Sequence, residues 1–262
     1  MFLIYLIIGC LVPVIVLSDP DYVSPRTALP YNSSITNCQA VGRARYQHSC
    51  VLAPMVTAGP YFIPEPLRRV NIRENEIGTR MDLIIAVTNS RNCRPVPNAD
   101  VYIWHANAFG NYSGFNDLAG VQWADDGNSI PQLTSRWLRG VQNTGLTGRV
   151  RFVSIVPGWY RGRSLHIHIE IRMGNNLVYV GQLFFTEEFG ELLEQVSPYN
   201  TVTTPRTTNP DDIRFQQARG AGIMTATGDF VRGIRASITL GIEPTRTVSD
   251  QLNPNGDGNR EL

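Results

Sequence analysis

The chain has no lysine. All 23 of its basic residues are arginine, although lysine is normally among the commonest residues. A surplus of charge is also missing, because 22 acidic residues leave a formal net charge of +1. Without a basic excess nothing draws the chain to nucleic acid or anionic lipid, and both are excluded as expected partners. Charged residues make up only 17% against 42% hydrophobic ones, a globular rather than a disordered composition. Cysteine is sparse, with four in 262 residues. Long apolar runs are absent apart from one at residues 2–17, which is short for a membrane span and suits a signal-peptide core. Its leading residues lack Lys and Arg, an atypical feature.

What is present divides the chain. A signal peptide is expected over 1–18, with cleavage near Ser18, giving a secreted protein with no membrane partner after cleavage. A polar arm follows over 19–49, then one well-buried domain over 50–242, then a loose polar tail rich in Pro and Gly over 243–262. Cleavage removes Cys10 and leaves Cys38, Cys50 and Cys93, which permits one disulfide and one thiol without choosing the pair. Asn32-Ser33-Ser34 is a glycosylation sequon in a polar stretch, with Asn32 as the acceptor. A second sequon at Asn111 is set aside, because Tyr112 is needed elsewhere.

Runs rich in β-branched and aromatic residues predict strands over 81–88, 99–105, 148–154, 164–171, 177–185 and 229–240. Turn signals separate them, among them Asn98, Gly145, Pro157-Gly158 and Gly174-Asn175-Asn176. Only 187–196 and 210–218 read as helical. The sum is a mostly β fold, an antiparallel β-sandwich with long loops and one or two short helices.

His166-Ile167-His168 lies inside one of these runs. Side chains at i and i+2 of a strand share a face, with Cα atoms about 7 Å apart, so both imidazoles can converge on one metal ion. A lone histidine is more often a satisfied core residue, but two adjacent buried imidazoles need partners. Glu170 shares the same face, and two histidines with a carboxylate would suit iron(II). It lies about 13 Å of strand beyond His166, too far for all three to meet, and is better placed to partner a neighbouring arginine. Tyr160, in the loop before the strand, and Tyr112, after an earlier strand and turn, are ordinary half-buried aromatics when taken singly. His48 and His105 are read as structural, and Trp104 and Trp123 as core or pocket-wall residues.

Four stretches in order resemble the intradiol ring-cleavage dioxygenases, in their secreted single-chain branch. They are Thr57-Ala58-Gly59-Pro60-Tyr61; Pro95-Val96-Pro97-Asn98-Ala99-Asp100-Val101-Tyr102-Ile103-Trp104-His105-Ala106-Asn107 through Tyr112; Pro157-Gly158-Trp159-Tyr160-Arg161-Gly162-Arg163-Ser164-Leu165-His166-Ile167-His168; and Gly181-Gln182-Leu183-Phe184-Phe185. The resemblance implies Fe(III) held by Tyr112, Tyr160, His166 and His168. It implies catechols or polyphenols and O2 as partners, and muconate-type diacids as products of plant-phenolic breakdown or detoxification. Two phenolates favour the ferric state, a bound cation lowers the tyrosine pKa values, and soft thiolate ligands are absent from the set. Tyr160 is implied as the ligand that takes a substrate proton, and Arg163 as the charge stabiliser on the ring. Gly59, Pro60, Tyr61, Arg163 and Gln182 are implied substrate contacts, and the disulfide by the same resemblance is Cys50–Cys93. The sequence leaves the oligomeric state open, with a monomer slightly favoured.

Two positions depart from the pattern: Ala58 stands where many relatives carry Glu, and Trp159 where they often place His or another residue. Pocket shape and rim are therefore open at these points. Two other classes remain as alternatives, an inactive secreted β-sandwich binding module and a different His-x-His metalloenzyme. The missing lysines admit two explanations, either fewer amines for catechol-derived quinones to attack or a lineage bias toward Arg, between which the sequence does not choose.

Overall fold

The computed structural model describes residues 52–64, 66–116, 122–123 and 129–249. The expected signal peptide, the whole of the arm, Cys38, His48, Cys50, Asn32 and the tail from residue 250 lie outside these residues. Ten strands and two short helices follow in order: β1 (Arg80–Asn89), β2 (Asp100–Trp104), β3 (Gln122–Trp123), β4 (Ser129–Ile130), β5 (Arg139–Asn143), β6 (Arg149–Ile155), β7 (His166–Met173), β8 (Asn176–Phe184), α1 (Glu187–Leu193), α2 (Ile213–Gln217), β9 (Thr225–Asp229) and β10 (Gly233–Ile242). One four-stranded sheet runs β6-β1-β10-β9 and the other β5-β2-β7-β8, while β3 and β4 form a small separate pair. The expected β-sandwich is what the chain forms.

Alternation builds the core. On β1, Met81, Leu83, Ile85 and Val87 are wholly buried and face inward at every second position. They join Val150 and Phe152 of β6 and the inward residues of the second sheet, Val101, Ile103, Ile167, Ile169 and Ile171, in one hydrophobic cluster. Each such side chain contributes about 1.5–3 kcal/mol by leaving water. The opposite face of the second sheet belongs to a different cluster, built on Tyr102, Trp104 and Val141 with Tyr61, Ile63, Tyr112 and Phe115 from the covering loops. The second sheet is therefore buried on both sides, which makes its outer face a place where polar side chains can be enclosed.

The structure departs from the sequence expectation in several places, the short strands β3 and β4 among them, which no expected strand covered. β5 was not foreseen, since Arg139-Gly140-Val141-Gln142-Asn143 has one β-branched residue and becomes a strand only by pairing with β2. The run at 229–240 is not one strand. The Asp229 carboxylate accepts from the backbone N–H groups of Val231 and Arg232 at 2.9 and 2.7 Å, a turn that separates β9 from β10. Finally, β1 and β10 pair in parallel, so the sandwich is not antiparallel throughout.

The chain after β10 is docked where it begins: Arg91 holds Glu243 at 3.1 and 2.8 Å, and Val248 is buried. Cys93 is disulfide-bonded, and its expected partner Cys50 lies outside the described residues.

Candidate metal centre and cavity

On β7 the inward positions are isoleucines and the outward positions are His166, His168 and Glu170, all buried. Two loops carry the tyrosines to the two imidazoles, and they can meet because each lacks a side chain where they cross. Gly110 has φ +83°, and a Cβ there would lie 2.2 Å from the Trp159 carbonyl oxygen; a Cβ on Gly158 would lie 2.4 Å from that of Ala108. Backbone thus packs on backbone, and the Gly158 N–H donates to the Asn107 carbonyl at 3.0 Å. Asn107 also shapes the first loop, its side-chain oxygen accepting from the N–H groups of Phe109 and Asn111 at 3.0 and 3.1 Å.

The four donor atoms converge. Tyr112 Oη lies 3.2 Å from His166 Nε2 and 3.1 Å from His168 Nε2, and Tyr160 Oη lies 3.4 Å from His166 Nε2. Separations of about 3 Å are what donors sharing one ion at about 2 Å must show. His166 Nδ1 faces the Ser164 carbonyl at 2.7 Å, so Nδ1 carries the proton and Nε2 presents its lone pair. Trp104 stacks on His168 with ring centroids 5.0 Å apart and planes 5° from parallel. Tyr61 stacks on Tyr112 at 4.4 Å. Gly59 lets the covering loop reach His168, since a Cβ there would stand 3.2 Å from its Cε1.

Burial sets the protonation states of the metal-free pocket. It drives His166 down to about 3 and His168 well below the ordinary range, so both imidazoles are neutral. It raises Tyr112 well above 10 and raises Tyr160 as well, so both phenols hold their protons until a cation displaces them. Two imidazole nitrogens and two ionisable phenols, with no thiol among them, fit a hard ferric ion. Among the described residues no three His, Cys, Asp or Glu side chains form a metal-binding group; the set is complete only when the phenols are counted.

His105 is structural, as expected. It is buried, with Nδ1 on the Ala106 carbonyl and Nε2 on Ser154 Oγ, each at 2.7 Å. Burial pushes its pKa down from 6.5 to about 4. The unfolded chain therefore takes up this proton first, and stability is lost as pH falls from about 6.5 to about 4. Thermal unfolding of metal-free protein is expected to give a lower Tm at pH 5 than at pH 7, with a smaller drop in a His105→Gln variant. An equal drop in both would clear His105 of any part in the acid response.

Arg163 sits at the centre of a network and not on the surface, with its side chain 13% exposed. Its Nη1 donates to Tyr160 Oη at 3.2 Å, its Nη2 to Gln182 Oε1, and its Nε to the Asp212 carboxylate at 3.2 and 3.0 Å. Gln182 is fixed in turn by donating to the Thr57 carbonyl at 3.1 Å. Asp212 was missed by sequence reasoning. It is the N-cap of α2, accepting from Arg214 N and Phe215 N, and it also accepts from Ser164 N and Oγ at 2.8 and 3.0 Å. An acid just before a helical run was the available signal, but it spoke for a cap and not for a partner 49 residues away. Arg139 was missed too. Fully buried, it donates to Ser113 Oγ, the Ser113 carbonyl and the Tyr61 carbonyl at 2.8, 2.8 and 2.6 Å, fixing the residue after Tyr112 and the one stacked upon it.

A cavity of about 1250 Å³ opens beside the centre, lined by Gly59, Pro60, Tyr61, Tyr160, Arg163 and Gln182 among others, so every expected substrate contact borders it. Ala58 lines it as well. Trp159 does not shape its rim, because it is buried in the sandwich core and donates Nε1 to the Thr204 carbonyl at 2.7 Å. Glu170 takes no place among the converging donors and pairs with Arg172 at 3.3 Å.

Residues 57–194 match the Dioxygenase family. The chain is 35% identical to an intradiol ring-cleavage dioxygenase from Tetranychus urticae, the match covering 76% of this chain and 97% of that one with a TM-score of 0.71. Two solved structures share the fold at lower identity. The dioxygenase domain of a carbohydrate-binding fusion from Streptomyces sp. SirexAA-E is 24% identical over 71% of this chain and 95% of its own, with a TM-score of 0.50. The 3-chlorocatechol 1,2-dioxygenase of Rhodococcus opacus 1CP is 18% identical over 78% of each, with a TM-score of 0.53. No curated protein sequence matches the chain. Since the family match takes in more than half of the sequence, and the mite enzyme aligns over nearly its whole length, the chain belongs to the intradiol ring-cleavage dioxygenases.

Proposed function

We propose that this chain is a secreted Fe(III) enzyme that cleaves catechol-type rings between their two hydroxylated carbons, giving muconate-type diacids in the breakdown or detoxification of plant phenolics. The observation that carries the reading is the meeting of Tyr112, Tyr160, His166 and His168, whose donor atoms are linked by separations of 3.1 Å (Tyr112 to His168), 3.2 Å (Tyr112 to His166) and 3.4 Å (Tyr160 to His166), beside a cavity. The ferric ion would be held by those four side chains and would supply Lewis-acid activation of the catechol toward O2.

The protein's own groups divide the remaining work. Tyr112 is 1% exposed and enclosed between the two histidines, whereas Tyr160 borders the cavity. Tyr160 Oη is therefore the phenol oxygen that can take up a substrate proton. Arg163 Nη1 reaches that same oxygen, and its fixed charge can hold negative charge developing on the ring beside it. Gln182 and Asp212 keep the guanidinium aimed. Tyr61 and Trp104 pack the ligand rings from behind and help keep water out.

Purified protein is expected to carry about one iron per chain and a visible phenolate-to-iron charge-transfer band, and to take up O2 with catechol. Mass analysis is expected to find the ring-opened diacid containing both oxygen atoms. Stoichiometric zinc with no visible band would overturn the metal assignment and favour a different His-x-His enzyme. Colourless, metal-free, folded protein that consumes no O2 would favour a binding module.

A further inference from the structure

The cavity extends far beyond the space a single catechol ring needs. At about 1250 Å³ it exceeds the roughly 300–1,000 Å³ common for sites that enclose drug-sized ligands. Its other end follows the same outer face of the second sheet: Asp100 and Tyr102 on β2, Glu170 and Arg172 on β7, and Leu177 and Val180 on β8 all line it. Glu170 stands two strand positions past His168, about 7 Å along β7.

Glu170 is the unusual group there. It is 4% exposed, yet among the described residues its carboxylate receives one long hydrogen bond, from Arg172 Nη2 to Oε2 at 3.3 Å. Its cross-strand neighbours cannot help. Tyr102, opposite on β2, gives its hydroxyl proton to the Ile63 carbonyl at 3.0 Å, and Val180, opposite on β8, has no polar side-chain atom. A carboxylate enclosed in this way needs donors, and the open side of the cavity is where they can come from.

We propose that Glu170, with Arg172 beside it, forms a second subsite that binds a hydroxyl group on the part of a catechol substrate remote from the cleaved ring. Oε1 accepts from the hydroxyl proton, and the half-exposed Arg172 guanidinium can donate to the hydroxyl oxygen. Neutral hydroxyls suit this pair of charges, while the carboxylate rejects anionic arms. Extended, polyhydroxylated catechols are thereby preferred over those with apolar arms. The proposal rests on the reading of the neighbouring centre as the catechol site.

The test uses iron-loaded enzyme and three catechols that carry the same phenylethyl arm on ring carbon 4. They differ only at the far end of the arm, which bears hydroxyl, hydrogen or aminomethyl. Affinity is measured by titration without oxygen, and turnover separately in air. The parent is expected to bind the hydroxyl compound about tenfold more tightly than the hydrogen compound, as a hydrogen bond to a charged group allows. Glu170→Leu is expected to abolish that ratio, and Glu170→Gln to reduce it. Kd and kcat for unsubstituted catechol are expected to stay within about twofold in both variants.

A ratio near one in the parent, a ratio unchanged in Glu170→Leu, or a parallel loss of affinity for unsubstituted catechol would each overturn the subsite. Tightest binding of the aminomethyl compound would overturn it too, by making Glu170 a counter-ion for cations. The two readings fail separately. Glu170-dependent preference without ring opening sinks the catalytic reading alone, and ring opening without that preference sinks the subsite alone.

Discussion

Replacing Arg163 with alanine is expected to leave iron bound and the protein coloured while turnover of catechol falls by more than about tenfold, because losing the group that stabilises developing charge typically costs a few kcal/mol. None of the four converging donor atoms belongs to Arg163, so the metal should stay. The visible band is expected to shift slightly, since Tyr160 Oη loses its 3.2 Å hydrogen bond from Nη1. The fold should survive, because Asp212 keeps donors from Ser164, Arg214 and Phe215. Arg163→Lys restores charge but not the planar fork that reaches Tyr160, Gln182 and Asp212 together, and is expected to recover only part of the rate. Steady-state kinetics beside metal analysis checks this. Near-normal turnover in a folded, iron-loaded alanine variant would remove Arg163 from the mechanism.

The other large effect belongs to Asp212, a positioning residue. It is wholly buried. Burial by itself would raise its pKa, but the Arg163 charge and the Ser164 and Arg214 N–H groups outweigh that and hold it below the usual carboxylate range. Asp212→Ala removes the acid of an enclosed ion pair and leaves a guanidinium that is only 13% exposed without its counter-charge, a change that costs about 3–5 kcal/mol. It also strips the cap from α2 and releases Arg163 from its aim. Chemical denaturation is expected to show the stability loss, with turnover reduced alongside it. Asp212→Asn keeps one acceptor oxygen, enough for the helix N–H groups or for Ser164 but not for both, and is expected to destabilise the fold less than alanine does while still lowering the rate. A loss under about 1 kcal/mol for the alanine variant would show that Asp212 is not the anchor of this network.

Much of the second sheet's design is local and was legible. His166-Ile167-His168-Ile169-Glu170 states its own geometry, because strand side chains alternate and isoleucine seeks the core. The imidazoles had to share a face, and Glu170 had to lie too far along to join them. The same alternation marked β1, and the turn residues marked most strand ends. It gave no account of β5, whose residues are strand by virtue of β2 alone, nor of the break at Asp229, which depends on one side-chain oxygen finding two N–H groups.

The sequence by itself thus determined the β-sandwich class, the paired histidines and, through ordered motifs, the family to which they belong. Only tertiary structure decided how the pieces complete a site. Tyr112 and Tyr160 reach the histidines because Gly110 and Gly158 let two loops touch backbone to backbone. Asp212 reaches Arg163 because the chain leading into α2 folds back onto the loop before β7, and Arg139 can be buried because three oxygens from two loops surround it. Periodicity reports which face a side chain occupies, since that is fixed by the dihedral angles of neighbouring residues. Which distant group waits on that face is set by how the loops close over the sheet, a many-body packing outcome with no short-range signature in the chain.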